Sequence, residues 1–160
     1  MIRGILPVLA GVAGLAAVLV SEPAPAAGPA PNGAAIYQRC AACHTATGRG
    51  VPGAYPPLGA DYRALAAKPA GRRYLVLAVT RGLNGPITVE GKPYRGMMPA
   101  QSGLDDASVA AVLNHVGTGI ARTGPAFAPF TAAEVAKARA SGAALSAADV
   151  ARLHTAVGGK

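Results

Sequence analysis

Residues 40–44 read Cys40-Ala41-Ala42-Cys43-His44, and these two cysteines are the only ones in the chain of 160 residues. A C-x-x-C-H run is the attachment motif of a c-type haem. Two thiols three positions apart lie on one side of a helical turn. There each can add to one vinyl group of a haem and form a thioether bond. His44 then sits under the iron as an axial ligand. The motif therefore names a cofactor, one covalently bound haem c, its attachment chemistry and one of two iron ligands.

Three other readings fit these residues less well. A redox disulfide wants a strand before the motif and a βαβ pattern around it. The preceding segment, Asn32 to Arg39, reads instead as a helix, with Asn32 as N-cap and Ile36 and Cys40 at i and i+4. A zinc site needs four ligands, usually as two close pairs, and the other histidines, His115 and His154, are far apart in sequence. A structural disulfide across so short a loop would add little stability.

The chain has room for one domain and some tail. Hydrophobic residues make up 51% of it, but aromatics only 4%, with no Trp. Alanine supplies much of the apolar count and packs thinly, so a large apolar macrocycle would help such a core fold. The net charge is +8. Between Gly33 and Pro99 the basic residues are Arg39, Arg49, Arg63, Lys68, Arg72, Arg73, Arg81, Lys92 and Arg95, opposed only by Asp61 and Glu90. Such a surface favours acidic protein partners and speeds encounter with them at low salt. No nucleic acid is expected, because basic and aromatic residues are not interleaved and no nucleic-acid motif is present.

Met1-Ile2-Arg3 precedes an apolar run from Gly4 to Val20, then Glu22 and a Pro/Ala stretch to Pro31. A positive start, an apolar stretch and the small-x-small site Ala24-Pro25-Ala26 predict an export signal over residues 1–26, cleaved after Ala26. The rival is an uncleaved anchor, the one way in which a membrane would become a partner. The apolar run is at the short limit for a span and carries Pro7. Residues 27–32 form a Pro/Ala linker. Export to the periplasm agrees with a c-type haem, which bacteria attach outside the cytoplasm.

Further along, Thr45 to Ala60 is a Gly/Pro-rich loop. Asp61 suits the cap of a short helix, Tyr62 to Ala67, stopped by Pro69. Arg72 to Arg81 predicts a helix with Leu75, Val76 and Val79 on one face and Gly82 at its end. Ile87 to Tyr94 predicts a small hairpin about Glu90-Gly91. Asp105 caps a helix from Asp106 to Val116. Gly117 to Phe130 is broken by Gly and Pro. Two runs close the chain, Thr131–Arg139 and Ser146–His154, each opening with a capping-box pattern. They are expected as short helices on the outside of the haem domain, with His154 as an exposed surface histidine.

The chain resembles class I c-type cytochromes over residues 33–117, with 118–160 as a C-terminal helical extension. Gly33 and Tyr37 match the Gly-x-x-x-aromatic pattern of that family's first helix, where its last core helix crosses. Pro56-Pro57-Leu58 matches its Pro-x-Leu, which implies that the Pro56 carbonyl takes the Nδ1–H of His44. Gly85 to Val89, followed by Tyr94-Arg95-Gly96-Met97-Met98-Pro99, looks like a bacterial periplasmic branch with a hairpin before the methionine ligand. One departure is His115, where the family usually has an aromatic. It is expected to pack against Tyr37.

The expected fold is thus all-α, a class I cytochrome c fold with a small β-hairpin insert and two tail helices. The expected function is one-electron transfer between periplasmic redox partners, without catalysis. Cys40 and Cys43 would hold the haem, and His44 and Met98 would ligate its iron. Met98 is favoured over Met97 because Pro99 pushes the residue before it into an extended conformation, as the family's Met-Pro pattern also implies. Two alternatives stand beside this reading: a subunit of a larger periplasmic dehydrogenase or oxidase, and a haem enzyme or gas sensor with an open iron site.

Overall fold

In the computed structural model, which describes Met1 and residues 29–160, six α-helices and two two-stranded ribbons enclose one hydrophobic core. The export signal after Met1 and the first two residues of the linker, 27 and 28, lie outside the described residues. The architecture is the mostly helical one expected from the sequence, with its small hairpin.

The first helix, α1, runs from Gly33 to His44, and the Asn32 side chain accepts the Ala35 N–H at its start. It crosses α4, Asp106–His115, which Asp105 caps through the Ser108 N–H. Gly33 makes the crossing possible: a Cβ there would lie 2.1 Å from the Ala111 carbonyl oxygen. Tyr37 is buried, and its ring lies 5.4 Å from the His115 ring, centroid to centroid. The imidazole thus stands in for the family's usual aromatic.

The middle of the chain departs from the expected boundaries. Helix α2 spans Ala60–Ala66, so Asp61 lies inside it and not at its cap. The start of α2 is held by Glu90 instead, whose Oε1 accepts the Ala60 N–H at 2.9 Å. Pro69 does not merely stop one helix but opens the next, α3, Pro69–Arg81. A proline in the first turn has no lost N–H, because that donor would lack an intrahelical partner anyway. Beyond Gly82, β1 (Leu83–Asn84) pairs antiparallel with β4 (Met97–Met98). Between them β2 (Ile87–Val89) and β3 (Lys92–Tyr94) form the hairpin. Its two turn residues, Glu90 and Gly91, both have positive φ, 51° and 74°, the pattern that matches the twist of a two-residue hairpin.

After α4 the chain winds through a π-helical turn, Val116–Ile120. Its Gly117 is pressed against the Phe127 ring, which a Cβ would approach to 2.2 Å. The tail helices α5 (Ala132–Ser141) and α6 (Ala147–Ala156) follow. They are not an outer addition. Val135, Ala138, Val150 and Ala151 are buried in the same core as Leu77 and Val109. Each such valine, fully buried, is worth about 1.5–3 kcal/mol. Arginines of α2 and α3 fasten the tail further. Arg63 donates to the carbonyls of Gly117, Ala121 and Pro125. Arg72 makes a two-point ion pair with Glu134 and stacks its guanidinium 3.8 Å above the Phe130 ring.

His154 is likewise not a surface residue. It is 1% exposed, and its Nε2 meets Asp61 Oδ2 at 2.9 Å across 93 residues of sequence. The helical period of α6 puts His154 four positions after Val150, on the buried face.

Candidate functional site

The last turn of α1 carries Cys40, Cys43 and His44 to the wall of one cavity, as positions i, i+3 and i+4 of a helix must share a face. The cavity encloses about 1330 Å³ of empty space, its open mouth included. Its sides are mostly apolar, with Leu65, Leu75, Val79, Leu83, Val112 and Leu113 among them. Such a space suits a large, flat, apolar group. Both cysteines are free thiols. Burial pushes the Cys40 thiol up, Arg39 opposing in part, which is the reverse of the activated thiolate of a disulfide exchanger.

His44 is 9% exposed, and its Nδ1–H donates to the Pro56 carbonyl oxygen at 2.9 Å. A carbonyl can only accept, so Nδ1 carries the proton and Nε2 keeps its lone pair. Burial pushes the imidazole pKa down, the Pro56 carbonyl partly offsetting it. The neutral ring so favoured is the form that binds a metal. The loop that brings Pro56 back to His44 is tight. Gly50 donates to the His44 carbonyl, and a Cβ on Gly50, at φ 65°, would lie 2.2 Å from the Tyr55 carbonyl oxygen.

On β4, Met98 is half-buried and packs on the core, whereas Met97 is 65% exposed. Strand pairing explains the difference, since neighbouring residues of a strand face opposite ways. Gly82, at φ 77°, lets β4 close in, because a Cβ there would lie 2.4 Å from the Met98 carbonyl oxygen. Two thiols on one helical turn, an imidazole with a free Nε2, a thioether on another wall and apolar sides all fit a covalently held haem.

Four tyrosines also border the cavity from within the core: Tyr37, Tyr62, Tyr74 and Tyr94. Tyr37 donates to the Thr45 carbonyl and Tyr62 to the Leu113 carbonyl. Burial, with Cys40 adding, pushes the Tyr37 hydroxyl up to about 12, so it stays protonated and donates. Asp61 and His154 belong to the same wall. Sequence reading misses this pair. The Ser146-x-x-Asp149 box announces α6, but no local pattern tells which distant residue its buried face will meet.

Residues 30–119 match the family model for cytochrome c. The chain is 48% identical over 111 residues to a protein named cytochrome c-552 from Thermus thermophilus, a stretch covering 68% of this chain and 85% of that one. It is also 48% identical over 111 residues to a second cytochrome c-552, from a named strain of the same species, of which 75% is covered. With its motif cysteines and His44 gathered on one apolar cavity, the chain belongs to the cytochrome c family, as a class I monohaem member with one covalently bound haem c that serves in haem-based electron transfer.

Proposed function

We propose that the protein is an exported, periplasmic one-electron carrier of the bacterial branch, not an enzyme, and that His44 and Met98 are the two axial ligands of its haem. In this reading Cys40 and Cys43 form the thioethers, and the Pro56 carbonyl orients His44. The observation that carries it is the contrast between the adjacent methionines. Both border the cavity, but Met98 is half-buried and packs on the core, whereas Met97 is 65% exposed. The haem supplies storage for one electron, its iron alternating between ferric and ferrous. The chain's part is to fill both axial positions, exclude water and hold geometry constant. A thioether ligand favours the ferrous state and a high potential. Filled axial positions leave no site for substrate.

The proposed partner is an acidic redox protein. Arg39, at the cavity mouth, and Arg49, Lys92 and Arg95 are exposed and form no ion pair among the described residues. Arg63, Arg72, Arg73 and Arg81 are bound to the tail instead, so the four free arginines and lysines of α1, the following loop and the hairpin are the ones nearest the cavity, while Lys68, Lys137 and Lys160 are exposed elsewhere. Among the described residues no helix is long and apolar enough to cross a membrane.

The test is a pair of variants. Met98→Ala should remove the weak red-edge band of ferric iron–sulfur ligation and let carbon monoxide bind. Met97→Ala should leave both properties unchanged. The reverse pattern would put the ligand one residue earlier. Electron exchange with the partner should slow as salt rises from a low value, and at a Debye length of about 8 Å the steering is already partly screened. A flat salt profile would point to apolar docking.

A further inference from the structure

Electron carriage by a haem does not require a buried carboxylate–imidazole pair in the cavity wall, yet this chain builds one. Asp61 of α2 is 8% exposed and His154 of α6 is 1% exposed. Asp61 Oδ2 meets His154 Nε2 at 2.9 Å, and Asp61 Oδ1 accepts the backbone N–H of Lys160 at 2.8 Å. Among the described residues no Lys or Arg forms an ion pair with Asp61.

The imidazole fixes the charge of this cluster. His154 Nδ1 is buried and has no hydrogen-bond partner. A proton there would be a buried orphan donor, costing about 1–3 kcal/mol, whereas a bare lone pair costs less. The proton therefore sits on Nε2 and is donated to Asp61. The ring has little freedom to find another arrangement. Gly159 lies against it, where a Cβ would come within 2.3 Å of Cε1, and the Tyr74 ring meets its edge at 5.3 Å between centroids. With both carboxylate oxygens accepting N–H groups and the imidazole neutral, the cluster carries one net negative charge.

Among the described residues the charged groups around the cluster form no ion pair with Asp61, and the exposed Lys160 meets it through its backbone N–H, not its ammonium. On α6 itself, Asp149 and Arg152 pair with each other. On the hairpin side Glu90 is spent on the start of α2. From α3, Tyr74 is a neutral phenol whose hydroxyl is pushed up by burial and further by the Asp61 charge. Lys68 lies by Gly158, not at the carboxylate.

We propose that Asp61 is the residue that sets the redox poise of the bound haem, as a fixed negative charge in the cavity wall, and that His154 is its positioning residue. Loss of an electron adds a positive charge to the iron centre. A nearby anion in a poorly screened interior favours that oxidised state. The electron comes from the donor protein of the carrier function, and the cluster takes up no proton. The proposal rests on the covalent haem and not on Met98, so it stands or falls apart from the ligand assignment. It also explains why the tail helices are retained in the core, since α6 delivers the imidazole that holds Asp61.

The test is a spectroscopic redox titration of the holoprotein. Asp61→Asn should shift the oxidised-to-reduced ratio at fixed potential about tenfold toward reduced, a rise in midpoint of about 59 mV for one electron. His154→Gln, which still offers an N–H to Oδ2, should stay close to the wild type. If Asp61→Asn lowers the melting temperature but leaves the midpoint alone, the pair is structural only and the proposal fails. A fall in midpoint in His154→Gln would mean that a cationic ring had been removed, and would also overturn it. Should Asp61→Asn fail to fold, nitrogen-15 NMR of the wild-type His154 ring decides. A proton on Nε2 alone at neutral pH supports the proposal, and a doubly protonated ring refutes it.

Discussion

The segment from Gly33 to His115 and the segment from Val116 to Lys160 share one core but are built on opposite plans. The first concentrates its chemistry in a short stretch of chain, with two thiols and an imidazole on one helical turn. The second holds none of the proposed haem ligands. Several of its polar side chains and carbonyls tie it to the first: Glu134 to Arg72, Leu145 to Arg81, Ser141 to Arg73 and His154 to Asp61. A cofactor site can thus be local in sequence while the wall around it depends on residues many positions away.

The largest effect should come from the motif itself. In Cys40→Ala/Cys43→Ala no pigment should remain on the denatured chain after acid-acetone extraction, against full retention in the wild type. Free haem released from the wild type would break the assignment of the first segment. Next comes removal of residues 131–160. If the tail is part of the core, the truncated holoprotein should lose several kcal/mol, given four buried apolar side chains and the arginine ties. Its melting, followed by haem absorbance, should broaden or vanish. An unchanged melt would return the tail to the status of an outer addition.

A smaller effect is expected at Arg72. Its guanidinium holds the Glu134 carboxyl below the ordinary carboxylate value, mainly through their hydrogen bond. Folding therefore favours the charged carboxylate. The stability this supplies is fully present above about pH 4.5 and is lost as pH falls toward the folded-state value. Arg72→Leu should cost about 2 kcal/mol at neutral pH, and less in acid, where Glu134 is protonated in both proteins. A cost that does not change with pH would assign the role of Arg72 to its stacking on Phe130 and not to its charge. The smallest pair compares caps across the two segments. Asn32→Ala and Ser146→Ala should each cost about 1 kcal/mol, and both should lower the same single transition. Two separable transitions would mean that the segments fold independently.

Much of the molecule was legible from the sequence where short-range rules apply. The motif, the caps at Asn32, Asp105, Thr131 and Ser146, and the hairpin at Glu90-Gly91 all depend on residues within a few positions of one another. Asp61 misled because an acid at the start of a helix has two readings, a cap or a buried partner, and only the distant His154 decides between them. His154 misled because a polar residue in a short, alanine-rich helix gives no sign of which face will be covered. The arginines look alike in a list of charges. Four of them prove to be fasteners, which no count of net charge could reveal.

The contact of Gly33 with Ala111 and of Tyr37 with His115 has a consequence for biogenesis. In the proposed export the helix that bears both thiols would emerge before the helix against which it must lie. For that interval Cys40 and Cys43 remain open to whatever machinery joins them to the prosthetic group. The chain's own order of appearance thus leaves the thiols open to covalent modification before tertiary closure, and His154, which arrives later still, is the last of these residues to join the enclosure.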